Sequence, residues 1–127
     1  MKQFNISKSI TLILSLVFTV SVQAMDLTGQ WKGYLAVGQQ TVPIIFNVTK
    51  SDAELVATMD SPMQGAKGIP VKSVEVNSDQ IIFSIAVAGA RYESTMKDEK
   101  LEGVWKQSGQ AFPLTMAKTE AVIVKKN

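Results

Sequence analysis

From Thr28 to Lys118 apolar and polar residues alternate with a period of two, and turn-forming clusters interrupt the alternation every 8 to 14 residues. That spacing predicts short β-strands rather than helices. The clusters are Gly38-Gln39-Gln40, Ser51 to Glu54, Ser61 to Gly68, Asn77-Ser78-Asp79, Ala88-Gly89, Asp98-Glu99-Lys100 and Ser108-Gly109, and these seven breaks delimit about eight strands. Most of the connections suit hairpins and are too short for the crossovers that parallel strands need, so neighbours in sequence are expected to pair antiparallel.

The alternation also assigns faces. On the sixth predicted strand Arg91, Glu93, Thr95 and Lys97 share one side, while Tyr92, Ser94 and Met96 share the other. The same parity collects an inner face of Trp31, Gly33, Leu35, Val37, Val42, Ile44, Phe46, Val48, Leu55, Ala57, Met59, Ile81, Phe83, Ile85, Leu101, Gly103, Trp105, Phe112, Leu114 and Met116, and its first charge is Lys118. An all-β, antiparallel up-and-down meander with one apolar face buries it most simply by closing into a small barrel, which also removes exposed strand edges. A two-sheet sandwich satisfies the same parity and remains open at this point. Leu27 to Lys32 and Leu101 to Lys106 share the pattern L-x-G-x-W-K, which is read as two strands that each need a close-approach glycine and a Trp filling a wide end of the core.

Residues 1–24 have a different pattern. Lys2 and Lys8 precede an apolar stretch from Ile10 to Val22, and Val22-Gln23-Ala24 offers a small-residue cleavage site, so 1–24 is expected to be a signal peptide. The β-barrel domain is then 25–118, with 119–127 a C-terminal tail. The expected location is periplasmic or secreted, with no stable membrane insertion after cleavage. The chain has 127 residues, 13 Lys and Arg and 11 Asp and Glu, and without Lys2 and Lys8 its charges balance. Balanced charge gives no general attraction for nucleic acid or anionic lipid.

Composition narrows the chemistry further. There is no cysteine and no histidine, which removes disulfides, thiolate and imidazole metal ligands, cysteine nucleophiles and Ser-His-Asp arrangements. No metal and no cofactor is expected, and Ser61 and Ser94 lack a His base. Glu93 and Glu102 fall on neighbouring strands but on the wet face, where nothing raises one carboxyl above the other as glycoside hydrolysis requires.

The early Gly29-Gln30-Trp31 on the first strand of such a meander resembles the Gly-x-Trp signature of lipocalins and other calycin barrels. That resemblance implies a Trp closing one barrel end beneath a basic side chain from the last strand, here Lys118. A longer resemblance runs through Gly29 to Leu35, Ser61 to Val71, Gly103 to Gly109 and Pro113-Leu114. These stretches are similar to the non-catalytic N-terminal β domain of secreted bacterial α/β hydrolases. The central motif of that domain usually reads Ser-Pro-Asp-Gln-Gly, whereas Met63 stands at the Asp position here. The hydrolase part, with its Gly-x-Ser-x-Gly elbow and His, is absent from the sequence. The resemblance implies a β domain standing alone, without catalytic activity.

Two candidate sites follow. The interior, lined by Trp31, Leu35, Phe46, Met59, Phe83, Tyr92, Met96 and Trp105, is either filled by its own side chains or holds one small apolar ligand. The segment Asp60 to Pro70, as the longest connection, is the candidate functional loop through Ser61, Pro62, Gln64, Gly65 and Lys67, or a structural loop in which Gln64 bonds the loop to itself. Gly29, Trp31, Gly103, Trp105 and Lys118 are assigned structural roles. The function expected is that of a secreted non-catalytic binding or accessory module holding a small apolar ligand in the barrel. The alternative is an interaction partner of a separate secreted α/β hydrolase, with no ligand cavity.

Overall fold

A computed structural model describes residues 26–119; the expected signal peptide and the tail from 120 onward lie outside the described residues. Nine strands follow one another: β1 (Gly29–Val37), β2 (Gln40–Ser51), β3 (Glu54–Ser61), β4 (Ala66–Val71), β5 (Ser73–Asn77), β6 (Gln80–Ile85), β7 (Ala90–Lys97), β8 (Lys100–Gln107) and β9 (Gln110–Lys118). They form one antiparallel sheet in the order β4-β3-β2-β1-β9-β8-β7-β6-β5. One continuous sheet, with the chain's first strand paired to its last and its edge strands β4 and β5 joined by a single residue, makes a nearly closed barrel rather than two stacked sheets. No helix among the described residues is long and apolar enough to cross a membrane.

The extra strand arises inside the fourth expected one. Ile69 and Val71 on β4 sit opposite Met59 and Ala57, and Val74 and Val76 on β5 sit opposite Phe83 and Ile81, so all four share the inner face. Between Val71 and Val74 the spacing of inner residues is three instead of two. Period-two alternation cannot continue through that step, and the strand bends there and changes partner. Its first half pairs with β3 and its second with β6, and the Lys72 N–H donates to the Ser84 carbonyl at the step. β4 and β5 do not pair with each other, so the sheet stays open here and only the chain, through Lys72, joins its two edges.

The turns place themselves at two ends. Asp52-Ala53, Ser78-Asp79 and Asp98-Glu99 lie at the end where β1 begins, and Gly38-Gln39, Pro62 to Gly65, Ala86 to Gly89 and Ser108-Gly109 lie at the other. One connection is shorter than expected. β3 runs through Ser61 and β4 starts at Ala66, which leaves Pro62 to Gly65 as the turn and puts Lys67 and Gly68 on a strand. Gly68, with φ of +69°, takes up the register shift between β3 and β4, and its N–H reaches Asp60 Oδ1 at 2.8 Å.

The inner face packs as one core. Phe46 and Phe83 stack with centroids 4.2 Å apart, and Tyr92 lies 6.1 Å from each ring. β7, β8 and β9 are registered without interruption, and Gly103 is the reason they fit: a Cβ there would clash with the Glu93 carbonyl oxygen. Gly29 has a different role, at φ of +125° beside the Lys118 side chain. The shared L-x-G-x-W-K letters therefore occupy unlike positions, since Leu27 precedes β1 while Leu101 is within β8.

Candidate functional site

Strand parity carries Trp31, Leu35, Phe46, Met59, Phe83, Tyr92 and Trp105 to the interior, where all are buried; Met96 is half-buried near one end. Their polar atoms find protein partners. Tyr92 Oη lies 2.6 Å from the Leu114 carbonyl and 3.1 Å from that of Leu101, and Ser94 Oγ donates to Ile81 O at 2.7 Å. Burial, with a smaller contribution from the Glu102 charge, pushes the Tyr92 phenol far above its ordinary pKa, so it stays a neutral donor. Trp105 Nε1 donates to Gln107 Oε1 at 3.0 Å, and Gln107 Nε2 in turn donates to Ala88 O. The structure thus brings the eight interior candidates together as packing, with these polar groups turned to the wall rather than to a central space.

At the end where β1 begins, Trp31 Nε1 donates to Leu27 O at 2.9 Å, and Lys118 Nζ stands 5.7 Å from the indole centroid while donating to Asp26 O. Trp31 and Lys118 are register partners across the β1–β9 joint. The Thr28 hydroxyl and amide hold the exposed Asp26 carboxylate below its usual pKa.

The turn at the other end is bonded to itself. Ser61 is buried and donates to Gln64 Oε1 at 2.6 Å, and the Gly65 N–H closes on Pro62 O. Asp60 joins this turn to the barrel wall by accepting from both Gly68 N and Asn47 Nδ2, and Gln30 Nε2 continues the chain onto Asn47 Oδ1. Pro62, Gln64, Gly65 and Lys67 are exposed. Among the carboxylates, Glu93 is gripped by Lys106 at 3.0 Å and Arg91 at 2.8 Å, which keep it ionised below its usual pKa. Glu102 sits opposite Thr95, so the two acids do not face each other as a catalytic pair. No group of three or more Asp or Glu among the described residues is placed to hold a metal.

The concavity lies elsewhere, at the seam. β3 pairs with β2 from Glu54 onward but with β4 only from Ala57, and β5 pairs only with β6, while β3 runs close beside it without a ladder. Glu54 to Val56 and Ser73 to Asn77 therefore present strand edges toward each other across a groove of about 1100 Å³. Its walls are the β2–β3 hairpin, the β4–β5 step and the stretch Asp26 to Thr28 leading into β1. Leu27, Leu55, Val71, Val74 and Val76 give it an apolar lining, and Asp26, Glu54, Lys50 and Lys72 give it a rim of balanced charge. Val76 shares the inner face yet is 47% exposed, because no strand covers it on this side. None of the interior or loop candidates lines this groove. Its sequence signal is the spacing step from Val71 to Val74.

Comparison with models of protein families finds no match to the chain, and comparison with curated proteins finds none.

Proposed function

We propose that the protein is an exported, non-catalytic binding module that takes an extended stretch of polypeptide into the open seam. The observation behind this reading is the pair of strand edges facing each other across an apolar groove. Unpaired edges recognise an added strand through main-chain hydrogen bonds, while pockets for alternate side chains supply selectivity. The valines of β5 favour apolar residues at alternate positions, and the balanced rim favours a segment of low charge. A small ligand inside the barrel has less support, because the Phe46–Phe83 stack occupies the centre. Export rests on the pattern of residues 1–24. The resemblance to hydrolase-associated β domains makes a separate secreted α/β hydrolase one source of the bound segment.

The test uses a soluble seven-residue peptide of alternating threonine and valine with a lysine at each end. Titrated into the mature protein, it should shift the amide resonances of Glu54–Val56 and Ser73–Asn77 and slow their hydrogen exchange, with affinity of ~0.1 mM. The same peptide N-methylated at alternate residues should do neither. No response to the peptide, together with shifts at Phe46 and Phe83 on adding decanoate, would replace this reading with an interior ligand site.

A further inference from the structure

The two ends of the barrel differ in charge. At the end where β1 begins, each of the three turns carries an acid, and Lys50, Glu54, Lys97 and Lys100 flank them. None of the four turns at the other end contains a charged residue. Three of them have an exposed apolar side chain at or beside the turn: Val87 is 70% exposed and Met63 53%, each within a turn, and Val37, the last residue of β1 before Gly38-Gln39, is 41% exposed. Turn positions are ordinarily filled by Gly, Asn, Asp, Ser or Pro for backbone reasons, and none of these three side chains is buried in the core.

Cations stand just behind the tips. Lys67, Arg91 and Lys106 are exposed, and each lies two residues from a neutral turn. The acids at this level are Asp60, committed to Gly68 N and Asn47, and Glu93, shared between Arg91 and Lys106. Tyr34, also exposed, stands on the outside of β1 three residues before Val37.

We infer that this neutral end docks onto an anionic phospholipid surface, with Val37, Met63 and Val87 entering the acyl boundary and Lys67, Arg91 and Lys106 meeting the headgroups. Separated aliphatic points with small neutral side chains between them suit a fluid interface. A protein partner would call for clustered aromatic or Arg anchors in one desolvated patch, and none of these tips is aromatic. An aromatic ring behind the tips matches the headgroup level. The near-neutral balance of the whole chain is no obstacle, because only the charges within a Debye length of the surface act on it. This surface is separate from the seam.

The experiment is sedimentation of the mature protein with vesicles of phosphatidylethanolamine and phosphatidylglycerol, against phosphatidylcholine alone. Binding is expected only to the anionic vesicles and should weaken as salt rises from about 0.05 to 0.5 M. Val87→Asp should reduce it at least tenfold and Lys67→Gln about fivefold, with unchanged thermal unfolding in both. Spin-labelled lipid should broaden amides of Gly38-Gln39, Met63 to Gly65 and Ala86 to Gly89 and spare Asp52-Ala53 and Asp98-Glu99. Absence of binding at several millimolar lipid, indifference to Val87→Asp, or broadening at the charged end would overturn the inference. So would binding to native membrane vesicles that vanishes once their proteins are digested, which would identify a protein partner instead.

Discussion

The barrel has two joints, and they are built on opposite principles. At the first, β1 meets β9 from the far end of the chain: Trp31, Lys32 and Gly33 are in register with Lys118, Ala117 and Met116, and the Thr119 N–H adds a bond to Gln30 O. Nothing covalent holds these strands together, so specific side chains must, and Lys118 over the Trp31 ring is part of that specification. At the second joint β4 and β5 are consecutive, and one residue, Lys72, spans the gap. Covalent continuity makes pairing there unnecessary, so this joint can stay open without the barrel falling apart. The contrast explains why the groove lies at the sequence-local joint and not where the chain ends meet.

The largest test of that contrast removes the plug of the first joint. Trp31→Ala should cost about 3–5 kcal/mol in denaturant unfolding, whereas Val76→Ala in the seam should cost under about 1. Comparable losses would mean that the seam is as tightly built as the terminal joint. Next comes the fully paired wall. Gly103→Ala forces a methyl into the Glu93 backbone and should cost about 2–3 kcal/mol, while Gly68→Ala, with open space around it but φ of +69°, should cost about 1.

Tyr92→Phe leaves the Leu101 and Leu114 carbonyls without their phenol and should cost about 1–2 kcal/mol at neutral pH. The same residue sets an alkaline limit. Because the folded protein holds the phenolic proton more tightly than the unfolded chain, the contribution is fully present below pH ~10 and is lost as pH rises above it. Urea midpoints measured from pH 8 to 11 should fall more steeply for the wild type than for Tyr92→Phe; parallel curves would show that Tyr92 does not set this limit. The smallest effect concerns Lys118→Ala, expected near 0.5 kcal/mol and absent in the Trp31→Ala background, as measured by a double-mutant cycle. Equal losses in both backgrounds would show that the two residues do not couple across the joint.

Much of the fold was legible because its hairpins are short and its wet and dry faces alternate cleanly, as on β7. The split of β4 from β5 was harder to see, since Pro70, Lys72 and Ser73 mask a single misplaced spacing in a strand otherwise rich in valine. The turn at 62–65 looked longer because glycines usually mark loops, yet Gly68 serves a strand irregularity fixed by Asp60. Interior candidates could be placed by parity, but whether they leave a cavity depends on ring orientation, and the stacking of Phe46 on Phe83 is a tertiary outcome. The groove was least legible: it consists of edges without partners, and a missing neighbour leaves no residue type behind.

The exposed step at Lys72 divides the strands into two contiguous meanders, β1–β4 and β5–β9. A tryptic nick after this residue would sever the only covalent link between them, yet the β1–β9 ladder and the ring of Phe46 against Phe83 cross from one meander to the other. The barrel is in this sense a covalent heterodimer. Its two halves, produced as separate polypeptides, should find each other and reconstitute the sheet, which makes the chain a natural scaffold for fragment complementation.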